Sequence, residues 1–362
     1  MDKKKLNEIR KANEKFLKRY KLEENDSIKM GFMSEDESIG KLEYIKTGNI
    51  AIDLVTGGLI KGKINVWYGS KDSGKSTSVR DALANIFNTD PNFVAGYMDE
   101  EASMDRKYWE SGGVDMNRLQ YLKFQTNEQA LDYANACAAG TIPLDMLTID
   151  TIQALACQGE LGTELKPRSM GDDTIGLLAR KYSQFLRTYT SNNNGNLTLL
   201  LISQVRTGGI GTVMVRDDMT GGNAIKHYNM ITLKIEKAGM SNWPTGRENV
   251  PAASFPVKFT VDKIKSFGRY KGLSCYGYFY LGKFDKRFNT IMIGADIGLH
   301  DGKSWTYKNA AGEEVTEKYR GKNEMFDKLS PEGERTMYEA LEPKFMENIK
   351  LNPRKTEEET DE

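Results

Sequence analysis

Apolar residues recur along this chain at two spacings. In residues 3–21, Leu6, Ile9, Asn13, Phe16 and Tyr20 fall on one stripe and Lys and Arg occupy the rest. That period of 3.6 predicts an amphipathic helix. Further on, short continuous apolar runs of strand length appear at Ile64–Tyr68, Phe93–Asp99, Asp145–Asp150 and Leu197–Ser203. Between them lie helical patterns: Ser76 to Phe87 with Val79, Leu83 and Ile86 on one face, Gln129 to Ala139, and about Ile175 to Tyr189. Buried strands alternating with helices predict an α/β fold built on a twisted, mostly parallel sheet. Alternation then predicts strands at Ile231–Glu236 and Val257–Ile264, and an aromatic strand-like stretch over Ser274–Phe284. A small mixed region follows, with helices near Gly321–Lys328 and Glu332–Asn348.

Four parts follow from this pattern: an N-terminal helix and arm over 1–41, a core over 42–284, a small α/β C-terminal domain over 285–350, and an acidic tail over 351–362. The arm carries one short apolar segment, Ile28-Lys29-Met30, suited to joining another chain's sheet edge. The tail is charged and, by composition, disordered. Two long glycine-bearing loops, 159–174 and 205–220, interrupt the core, and loops of this length are functional or disordered.

Composition sharpens the picture in few places. Lys plus Arg and Asp plus Glu both total 51, so net charge announces no polyanionic partner. The charge is uneven, basic over residues 2–21 and acidic over 357–362. Three widely spaced cysteines (Cys137, Cys157, Cys275) fit reduced thiols, which places the chain in the cytoplasm. No apolar run approaches the roughly 20 residues of a membrane span, and none follows the N-terminal lysines as in a secretory signal.

The chemistry concentrates at Gly69-Ser70-Lys71-Asp72-Ser73-Gly74-Lys75-Ser76-Thr77, which fits G-x-x-x-x-G-K-[ST] between a strand and a helix. Glycines let the backbone N–H groups form an anion nest, and the helix start adds its dipole. Lys75 is placed to reach β- and γ-phosphates, and the Ser76 hydroxyl to ligate Mg²⁺. Asp99-Glu100-Glu101 ends the second strand, and acids there face the ligand crevice of an open α/β sheet. Asp150 ends the third strand, where a phosphate-loop ATPase keeps the acid that holds Mg²⁺ through water. Gln204 ends the fourth.

In this order of parts the chain resembles the bacterial RecA-type recombinases over nearly its whole length. The resemblance is carried by Gly69–Thr77, Asp99-Glu100-Glu101 with Asp105 and Tyr108, Leu147–Asp150, Met170-Gly171 with Gly176–Arg180, Ser203–Arg206 and Thr220-Gly221-Gly222-Asn223-Ala224. It implies a RecA-like core, ATP and Mg²⁺ as cofactors, and a helical filament of identical chains on single-stranded DNA that exchanges strands with duplex DNA. It also implies roles. Glu101 orients the attacking water; Asp105 and Tyr108 bond and stack on adenine. Gln204 senses the γ-phosphate and begins the second DNA loop. Lys263 reaches ATP bound on the adjacent subunit. Lys166, Arg168, Arg180, Ser183, Arg187, Arg206, Arg216, Gly221, Gly222 and Asn223 match DNA-contacting segments.

The sequence departs from the family in places. The family has two lysines, two apart, near the trans site; here Val261 occupies one position, and Lys265 lies near but out of register. His227 stands where the family has Phe. The second loop lacks an aromatic residue. A hexameric helicase or translocase on the same core is the competing reading, and a nucleotide-binding mediator with little turnover is a third. Neither an additional partner domain nor a missing Glu101 or Lys75 is visible to favour them.

Overall fold

The computed structural model describes residues 3–20, 32, 34, 40–163, 166–167, 176–193, 195, 197–207, 217–219, 223–245, 250–266 and 268–351. The segment Ile28-Lys29-Met30 and the tail beyond 351 lie outside them. The first helix spans Lys3–Tyr20 and leaves Ile9, Phe16 and Tyr20 exposed.

A ten-stranded sheet dominates the molecule. Its parallel part runs in the order Ile231–Lys237, Ile64–Gly69, Thr198–Thr207, Met146–Asp150, Ala95–Asp99 and Leu119–Leu122. Antiparallel strands Phe255–Ile264, Ser274–Tyr280 and Lys283–Phe284 extend the other edge. Successive side chains in a strand point to opposite faces, and both faces here are covered. Trp67, Leu200 and Ile202 pack among residues of helices Ile50–Thr56, Lys75–Thr89 and Lys286–Asp296. Val66, Leu199 and Leu201 pack on the other side with Asn127–Ala138 and Leu177–Asn192. This two-sided burial is why the strands read as continuous apolar runs.

Several expectations need correction. Leu119–Leu122 is an edge strand that four residues, with the two middle ones exposed, did not announce. Ser274–Phe284 is two strands, because Leu281 and Gly282 both take positive φ (51° and 78°) and turn the chain in two residues. Helix Lys286–Asp296 was hidden by its near-uniform burial, which erases the polar stripe that marks a surface helix. The strand ending in Gln204 runs on to Thr207 and pairs with Asp217–Met219, so the second loop leaves the sheet as a ribbon. The first loop begins with a short helix, Gln158–Leu161, and a small ribbon, Gly162–Thr163 on Lys166–Pro167.

Candidate active site

The parallel strands carry their carboxyl ends to one edge, where Gly69 lies beside Gln204 and Asp150 beside Asp99. At Gly69 any Cβ would sit 2.1 Å from the Ile235 carbonyl oxygen, so the loop can leave the sheet only as glycine. Gly74 then takes a left-handed conformation (φ 94°) as the cap of helix Lys75–Thr89. The loop borders a cavity of about 300 Å³ lined also by Glu101, Ser103, Asp150, Thr151 and Gln204. Lys75 is buried, and its ammonium donates to the carbonyl oxygens of Gly69 (3.1 Å) and Ser70 (2.7 Å). Burial holds its pKa below the ordinary lysine range, against the opposing pull of Asp150, Glu101 and Asp72. Ser73 Oγ is buried with no protein partner. An orphaned hydroxyl, a helix N-terminus and a lysine at one cavity suit a polyphosphate.

Asp150 is buried at 4% exposure. Ser76 Oγ and Tyr97 OH both donate to its Oδ2, each at 2.7 Å. Burial raises the Asp150 pKa, and those two hydrogen bonds oppose the rise. A serine hydroxyl beside a carboxylate is a hard oxygen pair that suits Mg²⁺.

Glu101 is exposed to the cavity and accepts from Gln204 Nε2 at 2.7 Å and from Thr151 Oγ1 at 3.1 Å. Residues from three neighbouring strands and the segments that follow them thus converge on one carboxylate. The loop carrying it is closed by Asp99, which accepts from the backbone N–H groups of Ser103 and Met104. Gln204 is held in turn by its backbone N–H on Gln153 Oε1 at 3.4 Å. Tyr97, Thr151 and Gln153 were not foreseen. No short motif marks them, since each acts through a neighbour brought near by the sheet.

Glu100 departs from this economy. Both its carboxylate oxygens are buried with no protein partner. Burial, with Asp99 adding to it, pushes its pKa up to about 7, and Lys123 only partly offsets this. The folded state therefore binds more protons than the unfolded one between about pH 4.5 and 7, so stability falls as pH rises through that window. Glu100→Gln is expected to melt above the parent at pH 8, with the gap closing towards pH 4.5. A gap that stays constant across that range, followed by calorimetry, would show that the carboxylate is solvated.

Asp105 caps helix Arg106–Ser111 by accepting from the N–H groups of Lys107 (2.8 Å) and Tyr108 (3.3 Å). Tyr108 is 40% exposed, and its hydroxyl hydrogen-bonds Thr77 Oγ1 at 2.9 Å. Trp109 is buried against Tyr97 with ring centroids 4.4 Å apart, which anchors the helix carrying Tyr108.

Arg180, Ser183 and Arg187 share one stripe of helix Leu177–Asn192, and both arginines are exposed. Lys166 lies in the first loop's ribbon and Arg206 in the extended strand, while Asn223 opens helix Asn223–Tyr228. Arg168, Arg216, Gly221 and Gly222 fall outside the described residues.

Lys263 stands apart from these groups. Its ammonium donates to Asn229 Oδ1 (2.7 Å) and to the carbonyl oxygens of Lys226 and His227, the last at 3.4 Å. Lys265 Nζ reaches the same His227 oxygen at 3.3 Å. Burial, then the charge on Lys265, push the Lys263 pKa down to about 8. Val261 is fully buried in the core. Lys265 N–H bonds Met230 O, and Met230 N–H bonds Ile64 O, so Lys265 is level with the start of the phosphate-loop strand. At roughly 3.3 Å per residue, that is about 16 Å along the strand from Gly69. These cations gather at the opposite end of the sheet from their own chain's phosphate loop.

A family model described as the RecA N-terminal domain matches residues 17–267. Protein RecA of Acidiphilium cryptum is 34% identical over 242 residues, 66% of this chain and 66% of that one. Protein RecA of Francisella tularensis subsp. novicida is 29% identical over 300 residues, 80% of this chain and 79% of that one. Protein RecA of Methylococcus capsulatus is 34% identical over 211 residues, 57% of this chain and 58% of that one. The matched stretch covers less than two thirds of the Methylococcus and Acidiphilium proteins.

Proposed function

The chain belongs to the RecA family, and from that membership we propose an ATP-dependent recombinase that polymerises on single-stranded DNA and exchanges strands with duplex DNA. The observation that carries the reading is the 2.7 Å hydrogen bond from Gln204 to Glu101. It ties Glu101, an exposed carboxylate of the cavity, to the strand that continues outward as the second loop's ribbon.

In this reading the loop N–H groups and Lys75 hold the β- and γ-phosphates. The Ser76 hydroxyl, and through water the Asp150 carboxylate, would hold Mg²⁺, which would supply charge neutralisation. Glu101 accepts the proton of the attacking water, and Thr151 orients it. Phosphoryl transfer needs positioning and charge more than covalent help, which this residue set provides. A γ-phosphate offers the Gln204 amide a second acceptor. Exchange of Glu101 for that acceptor frees the carboxylate and shifts the strand leading to the DNA loop. Arg180, Ser183, Arg187, Lys166 and Arg206 lie on the elements that border the two loops and supply contacts to phosphates.

Filament formation is supported by the exposed apolar stripe of Lys3–Tyr20 and by the sheet ending, among the described residues, at Leu119–Leu122. The distance of Lys263 from its own phosphate loop supports a role for it at a neighbour's nucleotide. Lys263→Ala is expected to leave ATP binding by the DNA-free protein within about twofold while cutting DNA-stimulated turnover about tenfold, the value of one charge-assisted contact. Equal losses in both assays would place its action within its own subunit. The class itself is tested by ATP turnover with and without single-stranded DNA. Strong stimulation with a log–log salt slope of about −0.7 per neutralised phosphate is expected, with open helices rather than closed rings in electron micrographs. Unstimulated turnover and rings would instead indicate a hexameric motor. Among the described residues no helix is long and apolar enough to cross a membrane.

A further inference from the structure

Arg80 sits on the phosphate-loop helix one turn after Thr77, and only 2% of it is exposed. Its guanidinium carbon lies 4.2 Å from the centroid of the Tyr108 ring. Nε donates to Asp81 Oδ1 at 2.7 Å, and one terminal nitrogen donates to the Gly282 carbonyl oxygen at 3.0 Å. Asp81 in turn accepts from the Phe284 N–H at 2.7 Å. The Tyr108 helix ends at Gly112, where a Cβ would lie 2.4 Å from Arg80 Nε, so that turn is shaped around the arginine. A buried arginine is costly unless paired and stacked. This one is fixed on three sides, by Asp81, by the turn at Gly282 and by the tyrosine face.

Tyr108 is thus gripped twice from the nucleotide-binding helix, at its hydroxyl by Thr77 and at its ring by Arg80, while 40% of it stays open. We propose that Arg80 is the positioning residue that makes Tyr108 a rigid platform for the nucleobase, so that affinity for the base, and not for the phosphates, depends on it. Two effects combine. A cation held behind a ring fixes its orientation before ligand arrives, which removes an ordering cost from binding. The same guanidinium joins the platform to the 281–284 turn, so the base-binding surface is braced by the strand pair at the far edge of the sheet. The inference rests on the reading of Tyr108 as the surface a base covers.

The test is titration calorimetry of the full chain with Mg²⁺-ATP and, separately, with Mg²⁺ and inorganic tripolyphosphate, which has no base. Arg80→Met keeps an apolar stem and removes the guanidinium. It is expected to weaken ATP about tenfold, as for one desolvated cation–π contact, and to leave tripolyphosphate unchanged. Tyr108→Ala should do the same, and the double variant should be no worse than Tyr108→Ala alone. Equal weakening of ATP and tripolyphosphate by Arg80→Met would overturn the proposal, since general loosening of the loop would then account for it. ATP loss in Tyr108→Ala with none in Arg80→Met overturns the role of Arg80 alone. No ATP loss in Tyr108→Ala overturns the platform reading and the proposal with it. Should Arg80→Met fail to fold because Asp81 is left buried without its cation, Arg80→Met with Asp81→Asn removes that charge and allows the same measurement.

Discussion

Glu101→Gln is expected to bind ATP as the parent does and to hydrolyse it about 10² to 10⁴ times more slowly in the presence of single-stranded DNA, the range for losing a general base. The geometry makes this a clean substitution. Glu101 Oε1 accepts from Gln204 Nε2 and from Thr151 Oγ1. A glutamine presents a carbonyl oxygen at the same place, so both donors keep an acceptor and the three segments stay joined. What is lost is the ability to take a proton from water. If Gln204 reports the γ-phosphate to the second loop, the variant should also hold DNA longer, because ATP persists in the filament. Turnover within twofold of the parent would sink this mechanism. Slow turnover with unchanged DNA lifetime would retain the base and remove the link to the loop.

Asp150→Asn should separate function from folding. The carboxylate is 4% exposed, and burial raises its pKa. The sign is that of an acid whose charged form is disfavoured in the native state, so its ionisation weakens the nucleotide-free protein as pH rises past the ordinary aspartate range. An asparagine has the same shape and still accepts from Ser76 and Tyr97. The variant should therefore melt at or above the parent without nucleotide at neutral pH. With Mg²⁺ and ATP it should lose most of the parent's ligand-induced rise in melting temperature, and kcat/KM should fall about 10- to 100-fold, as for a group that supports a metal through a second layer. A large fall in the melting temperature of the nucleotide-free protein would mean that Asp150 is structural first.

Much of this was legible in the chain. The phosphate loop could be read without tertiary information, because its spacing of glycine, lysine and serine is a local motif, although the reason position 69 must be glycine is the Ile235 carbonyl oxygen of a neighbouring strand. The parallel strands were readable because burial on both faces makes them continuous apolar runs. What escaped was whatever depends on two distant segments at once. Helix Lys286–Asp296 lost its polar stripe to burial. The 281–284 turn split an aromatic run that looked continuous. Tyr97, Thr151 and Gln153 became part of the site only because neighbouring strands align.

Lys263 and Lys265 show the same division. In sequence Lys265 looked merely out of register beside Lys263. In the fold both reach the His227 carbonyl oxygen, while Val261 is core. Local sequence decided where phosphates can be held, since a nest, a helix start and a lysine lie within nine residues. Only the tertiary structure decided what that loop is wired to. The Gln204–Glu101 bond spans 103 positions and the Arg80 link to Gly282 spans 202. A hydrogen bond is specified by angstroms, and the chain folds those distances into being only when the whole sheet is assembled.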